Sequence, residues 1–390
     1  MEPTVCRRRT RTTSPRPVRP QPMTTPPTSA DLWHAARREG HDVRKRVVAA
    51  LGLVIGMAAA VGVAVVARLV GGEALADVPW TRPVELVLGP LRGAWLEDRD
   101  LALGLQLLAH AVVLLLVAAR FGGELHRLAI VDLAGAPRES GADARRFARR
   151  HLRAFYGARM AYVAGVIVPI LAIGALALAG RLPGALGGIG LAVAVAVGGA
   201  LAILAALVAL GGAFGGFLTG PLVAAEGADA FDAVTRAYGY TLDGLPMLLV
   251  RRAWFFVGVL LGSAVRALRG LLALLFGHAA LSAGAPEAWA RARAVLAAGG
   301  TPPDADRLGL GFGDHLVAAV ALAVLAGYVL YVLADFVSRV VCARSAVYLL
   351  TRRERDHVPV QVLRAAPRVR EATRPEDAGF EEVARLAEDA

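Results

Sequence analysis

Long apolar stretches alternate along this chain with shorter polar segments. Residues 47–70, 101–119, 160–179, 185–217, 254–280 and 316–334 each run about 19 residues or more, nearly all with almost no charge. That length matches the ~20 helical residues needed to cross ~30 Å of hydrocarbon. The pattern predicts an all-α, polytopic bundle of six membrane spans within residues 31–350. Residues 1–30, rich in Pro, Thr and Arg, lack apolar periodicity and read as a disordered tail. Residues 351–390 read as a second tail ending in a short acidic helix near 375–389, with Pro375 favouring its start.

Composition agrees with the pattern. Hydrophobic residues make up 56% of the chain, above the roughly 45–50% of soluble domains. The net charge of +11 is almost wholly arginine, since Lys45 is the only lysine. That bias, with abundant Ala and Gly, fits a GC-rich bacterial coding sequence. The charge flanks the spans rather than forming a nucleic-acid face. Cys6 and Cys342 lie far apart, so no disulfide framework or metal spacing follows. No H-E-x-x-H, G-x-S-x-G or Walker pattern occurs, and the sequence predicts neither an enzyme nor a cofactor.

Arginine placement sets the expected topology. Basic residues crowd the segment before the first span, from Arg7 to Arg46, and the positive-inside rule puts this end in the cytoplasm. Segment 71–100 carries three arginines against six acids and faces out; 120–159 carries nine against four and faces in. The basic end of the sixth helix returns the C-terminus to the cytoplasm. The expected location is therefore a bacterial inner membrane with both termini inside.

An internal repeat organises the middle. Phe121-Gly122-Gly123 recurs as Phe214-Gly215-Gly216, an offset of 93, and the same offset carries Arg159 onto Arg252 and Gly165 onto Gly258. Each copy reads as helix end, Phe-Gly-Gly, inner segment, Arg, next helix, which is either a parallel repeat of hairpins or similar helix-end chemistry in two unrelated hairpins. The glycine pairs are expected to stop the spans. In the fourth span, Gly211 and Gly215 stand four apart and invite a close helix contact.

Three groups of residues are candidates for function. Residues 142–156 form a basic amphipathic helix in which Arg145, Arg146, Arg149, Arg150 and Arg153 cover one face; such a helix is expected to lie among anionic headgroups. The inner segment after the fourth span is instead acidic and aromatic. Glu226, Asp229, Asp232, Tyr238 and Tyr240 there are candidate contacts for a basic partner or an ion, unless they pair within the chain. Gln106, His110, Arg266 and Arg269 are polar groups inside spans, which usually face the bundle interior or a cavity. They suggest an outward polar pocket, unless Arg266 and Arg269 snorkel to the outer surface.

Asp31-Leu32-Trp33-His34, Arg127-Leu128-Ala129-Ile130, Glu226-Gly227-Ala228-Asp229-Ala230-Phe231-Asp232 and Tyr348-Leu349-Leu350-Thr351 together give a further comparison. Through them, residues 31–363 resemble an uncharacterised bacterial family of six-span membrane proteins. The resemblance implies the architecture and no activity. The expected function is a non-enzymatic membrane scaffold or partner-binding protein that meets anionic lipid, and an unidentified protein, through its cytoplasmic interfacial segments. The alternative is a transporter built on His110, Arg266 and Arg269.

Overall fold

The computed structural model describes residues 28–70, 101–183, 185–298 and 310–358. The expected N-terminal tail, apart from its last three residues, lies outside the described residues, as do segment 71–100 and the acidic helix near 375–389. The described residues form nine α-helices and no strand. They are α1 (Ser29–Glu39), α2 (Val43–Val70), α3 (Leu101–Leu133), α4 (Gly141–Arg150), α5 (Leu152–Ala177), α6 (Ala185–Glu226), α7 (Ala230–Gly284), α8 (Pro286–Ala298) and α9 (Phe312–Arg355). Six of them, α2, α3, α5, α6, α7 and α9, are long and apolar enough to cross a membrane. The chain is a multi-pass, all-α membrane bundle.

Several helices outrun the apolar stretches that predicted them. At ~1.5 Å per residue, the 44 residues of α9 extend about 66 Å, roughly twice the hydrocarbon thickness. The excess collects at one end, where α3, α6 and α9 finish and α2, α5 and α7 begin; this is the basic end. The Phe-Gly-Gly pairs do not stop helices there. Gly123 lies inside α3, where an added Cβ would stand 2.8 Å from the Phe155 ring, and Gly215 lies inside α6 against Thr241. The missing side chains admit neighbours; the helix runs on.

The main core sits at the basic end. It joins Leu125, Ala129 and Leu133 of α3 with Leu218, Leu222 and Ala225 of α6, and with Cys342, Ala346 and Leu350 of α9. Leu32 and Ala36 of α1 and Phe155 of α5 close it. Alanines at these seams let the backbones approach closely. Toward the other end, leucines, valines and isoleucines such as Leu51, Ile170, Val195, Leu261 and Leu325 face outward. Only 6–33% of the residues in each span's most apolar window are buried by protein, so lipid must cover the rest.

Local chemistry sets the breaks. Thr28 and Asp31 form a reciprocal capping box that starts α1. Gly227, at φ 68°, ends α6 in the left-handed conformation that suits glycine, and Asp229 caps α7 by accepting from the Asp232 amide at 2.8 Å. Inside α7, Pro246 removes a donor and Gly244 leaves helical geometry, which kinks the helix. Arg355 of α9 donates to the Asp243 carbonyl exposed there. The helix expected over 142–156 is broken at His151 (φ −99°, ψ 15°), so α4 ends at Arg150 and Arg153 belongs to α5.

Candidate functional site

The acidic and aromatic candidates are engaged within the chain. Glu226 accepts from the Tyr348 hydroxyl and from Arg236, both at 2.5 Å, and Arg352 Nε stands 3.3 Å away. Asp229 is the α7 cap, and Asp232 accepts from Arg236 Nε at 2.8 Å. Tyr238 donates to the Leu207 carbonyl of α6, and Tyr240 donates to Asp356 at 2.6 Å. Together they fasten the α6–α7 turn to the end of α9. Their chemistry is used in the fold.

The arginine face behaves differently. On α4, Ala144 and Ala148 are buried while Arg145, Arg146, Arg149 and Arg150 are exposed, as is Arg153 on α5. Arg146 pairs with Asp143 of its own first turn, and Arg145 Nε stands 3.6 Å from Glu124. Among the described residues no carboxylate pairs with Arg149, Arg150 or Arg153. The face is a concentration of positive charge beside a span.

The intramembrane polar candidates do not converge. Phe121 packs on Gly52 and Val117 on Gly56, an antiparallel register that carries His110 toward the far end of α2. There His110 is buried, with Nδ1 2.8 Å from the Gln106 carbonyl of the preceding turn. Arg266 points instead to the start of α2: it bonds Asp335 and lies against His41. Arg269 is exposed, one turn beyond. Polar groups inside separate spans suggested one outward pocket, but the sequence carried no information on helix tilt or on the pairing of Arg266 with Asp335.

Asp335, 1% exposed, is the centre that sequence reasoning missed. Arg46 Nε stands 2.9 Å from one oxygen, Arg339 Nε 2.9 Å from the other, and Arg266 bonds the first. Arg46 also donates to His41 Nδ1 at 2.8 Å. Partial burial, then the neighbouring Arg266 and Arg339, holds the His41 imidazole down to about 4, so it is neutral at pH 7. The signal available in the sequence was an acid directly after an apolar span, opposite arginines with no assigned counter-ion.

A second, half-buried ionic cluster holds Glu39, Asp42 and Asp132, whose oxygens lie close enough to ligate a cation. That place is taken. Lys45 Nζ stands 2.7 Å from Asp132 and 2.8 Å from Glu39, and Arg44 reaches Asp42 at 2.8 Å and Asp132 at 3.3 Å. An ammonium and a guanidinium neutralise the acids as a metal would.

A cavity of about 730 Å³ lies between α5, α6, α7 and α9. Arg159, Arg252 and Arg344 line it with Tyr162, and no carboxylate does among the described residues. Arg344 Nε donates to the Phe217 carbonyl at 3.0 Å; Arg252 donates to the Ala213 carbonyl at 2.6 Å and lies over the Phe217 ring. Arg159 and Arg252, which the offset of 93 matches in sequence, both line this cavity. Arg344, the third member, lies beyond the repeat and was not singled out by sequence. Scans against known protein families, curated proteins and solved structures returned no match for this chain.

Proposed function

We propose that this chain is a non-enzymatic scaffold of a bacterial inner membrane, acting from the cytoplasmic side through its basic end. Its place among uncharacterised six-span bacterial proteins rests on the motif resemblance. The observation that carries the scaffold reading is the arginine face of α4, continued by Arg153. Five cations stand together at the edge of the best-packed part of the bundle, and three of them have no acidic neighbour among the described residues. Each basic residue near an anionic surface contributes on the order of 1 kcal/mol, so the face favours anionic headgroups or an acidic protein. The transport reading draws less support, because Arg266 is committed to Asp335 and its contacts lead away from His110.

A nitroxide label tests this directly. With Cys6→Ser, and with the remaining native thiol, Cys342, buried in the core, a label at Arg149→Cys is read in vesicles of neutral lipid and in vesicles containing phosphatidylglycerol. Access of a water-soluble nickel chelate is expected to fall on adding the anionic lipid. Equal access in both vesicles would sink the headgroup contact.

A further inference from the structure

We propose that the cavity lined by Arg159, Arg252 and Arg344 binds the phosphate group of one anionic phospholipid, whose acyl chains leave along the apolar walls. Buried charges are ordinarily paired, because an isolated cation in a poorly polarisable surrounding is costly. Here the guanidiniums of half-buried Arg159 and Arg344 and of exposed Arg252 share one cavity with no acid among the described residues that line it. The contacts made by Arg252 and Arg344 are to neutral carbonyls and a ring, which leave the positive charge uncompensated. Arg159 Nη1 and the Tyr162 hydroxyl are buried with no hydrogen-bond partner. Two unmatched donors on residues that line this space, beside three positive charges, call for an acceptor-rich anion. A phosphate fits, since its oxygens take several guanidinium N–H groups at once.

The walls point to a lipid rather than a soluble anion. Val163, Val166 and Phe255 line the cavity, and its rim includes Ile167 and Phe256, 41% and 49% exposed on spans α5 and α7. Such a mouth meets acyl chains. The volume lies within the ~300–1,000 Å³ of small-molecule sites, enough for a headgroup and the first chain segments. Arg159 and Arg252 also stand where the apolar stretches of their helices begin, which is headgroup depth. The site is separate from the α4 face, so either can fail alone.

The test is native mass spectrometry of the full chain in mild detergent, titrated with phosphatidylglycerol and with phosphatidylcholine of identical chains. The unmodified protein is expected to keep one phosphatidylglycerol, with about tenfold preference over phosphatidylcholine. Arg159→Gln with Arg344→Gln should bring the preference near one, while substitution of the five α4-face arginines should leave it intact. Gly216→Val covers the case in which the double variant misfolds. An added Cβ there meets Tyr162 at 3.5 Å, so the side chain fills the cavity without removing charge, and lipid retention should fall. Equal retention of both lipids, or a preference surviving the double variant and Gly216→Val, would overturn the site. Displacement of the bound lipid by millimolar inorganic phosphate alone would overturn its lipid identity and assign it to a soluble anion.

Discussion

Lys45 is the only lysine among 43 basic residues, and its surroundings account for the exception. It is 1% exposed and its ammonium fits between Glu39 and Asp132 with Arg44 alongside. A guanidinium is wider, planar and longer, so the slot selects the compact charge. Lys45→Met leaves Asp132, itself 3% exposed, with Arg44 alone, and should cost about 3–5 kcal/mol of stability. Lys45→Arg keeps the charge but overfills the site, for about 1–3 kcal/mol. Denaturant unfolding in micelles measures both, and a methionine variant as stable as the parent would show that the cluster adds nothing. Composition marked Lys45 as singular; only the fold shows that it is buried. Glu226 and Tyr240 follow the same rule. Their motif stood out in sequence, yet their hydrogen bonds to Tyr348 and Asp356 span 122 and 116 residues and have no local pattern.

Between elements, small residues and kinks decide the contacts. Gly211 and Gly215 of α6 face α7, as their spacing suggested, and an added Cβ at Gly211 would overlap the Tyr238 ring. Gly211→Leu must therefore displace Tyr238 and lose its bond to the Leu207 carbonyl, at a cost of about 1–3 kcal/mol or somewhat more. Gly239→Ala, one residue from Tyr238 but with open space around it, is the control. It should be neutral or stabilising by up to about 1 kcal/mol, since alanine is the better helix former. Thermal melts in one detergent separate the pair, and equal midpoints would mean that α6 and α7 do not pack through this face. Span positions were readable because apolar length is a property of each segment. Helix continuation past Phe121-Gly122-Gly123 was not readable, because a glycine pair breaks a helix or admits a neighbour according to what packs on it, here the Phe155 ring. The repeat pointed to Arg159 and Arg252 for the same local reason, whereas Arg344 joins them only through the crossing of α9.

At the scale of the molecule, the bundle divides into a protein-packed basic end and an opposite end left to lipid, and the Asp335 cluster ties the first together. Arg46 brings α2, Arg266 brings α7, Asp335 and Arg339 belong to α9, and His41 comes from the turn after α1. Three guanidiniums already outnumber the one carboxylate, so a proton on His41 adds like charge to the knot. The folded imidazole titrates at about 4, against 6.5 for the ordinary group. Between those values the unfolded chain binds the proton and the folded chain does not. Stability is therefore fully present above pH 6.5, declines as pH falls toward 4, and takes no further loss from this group below that. His41→Gln keeps a polar side chain beside Arg46 and cannot titrate. The melting midpoint of the unmodified protein should fall more than that of His41→Gln between pH 7 and pH 5, a range above most carboxylate titration. The difference should persist in nanodiscs of neutral lipid, because it arises inside the protein rather than at the α4 face. Parallel pH profiles for the two proteins would show that His41 carries no proton-linked part of the stability.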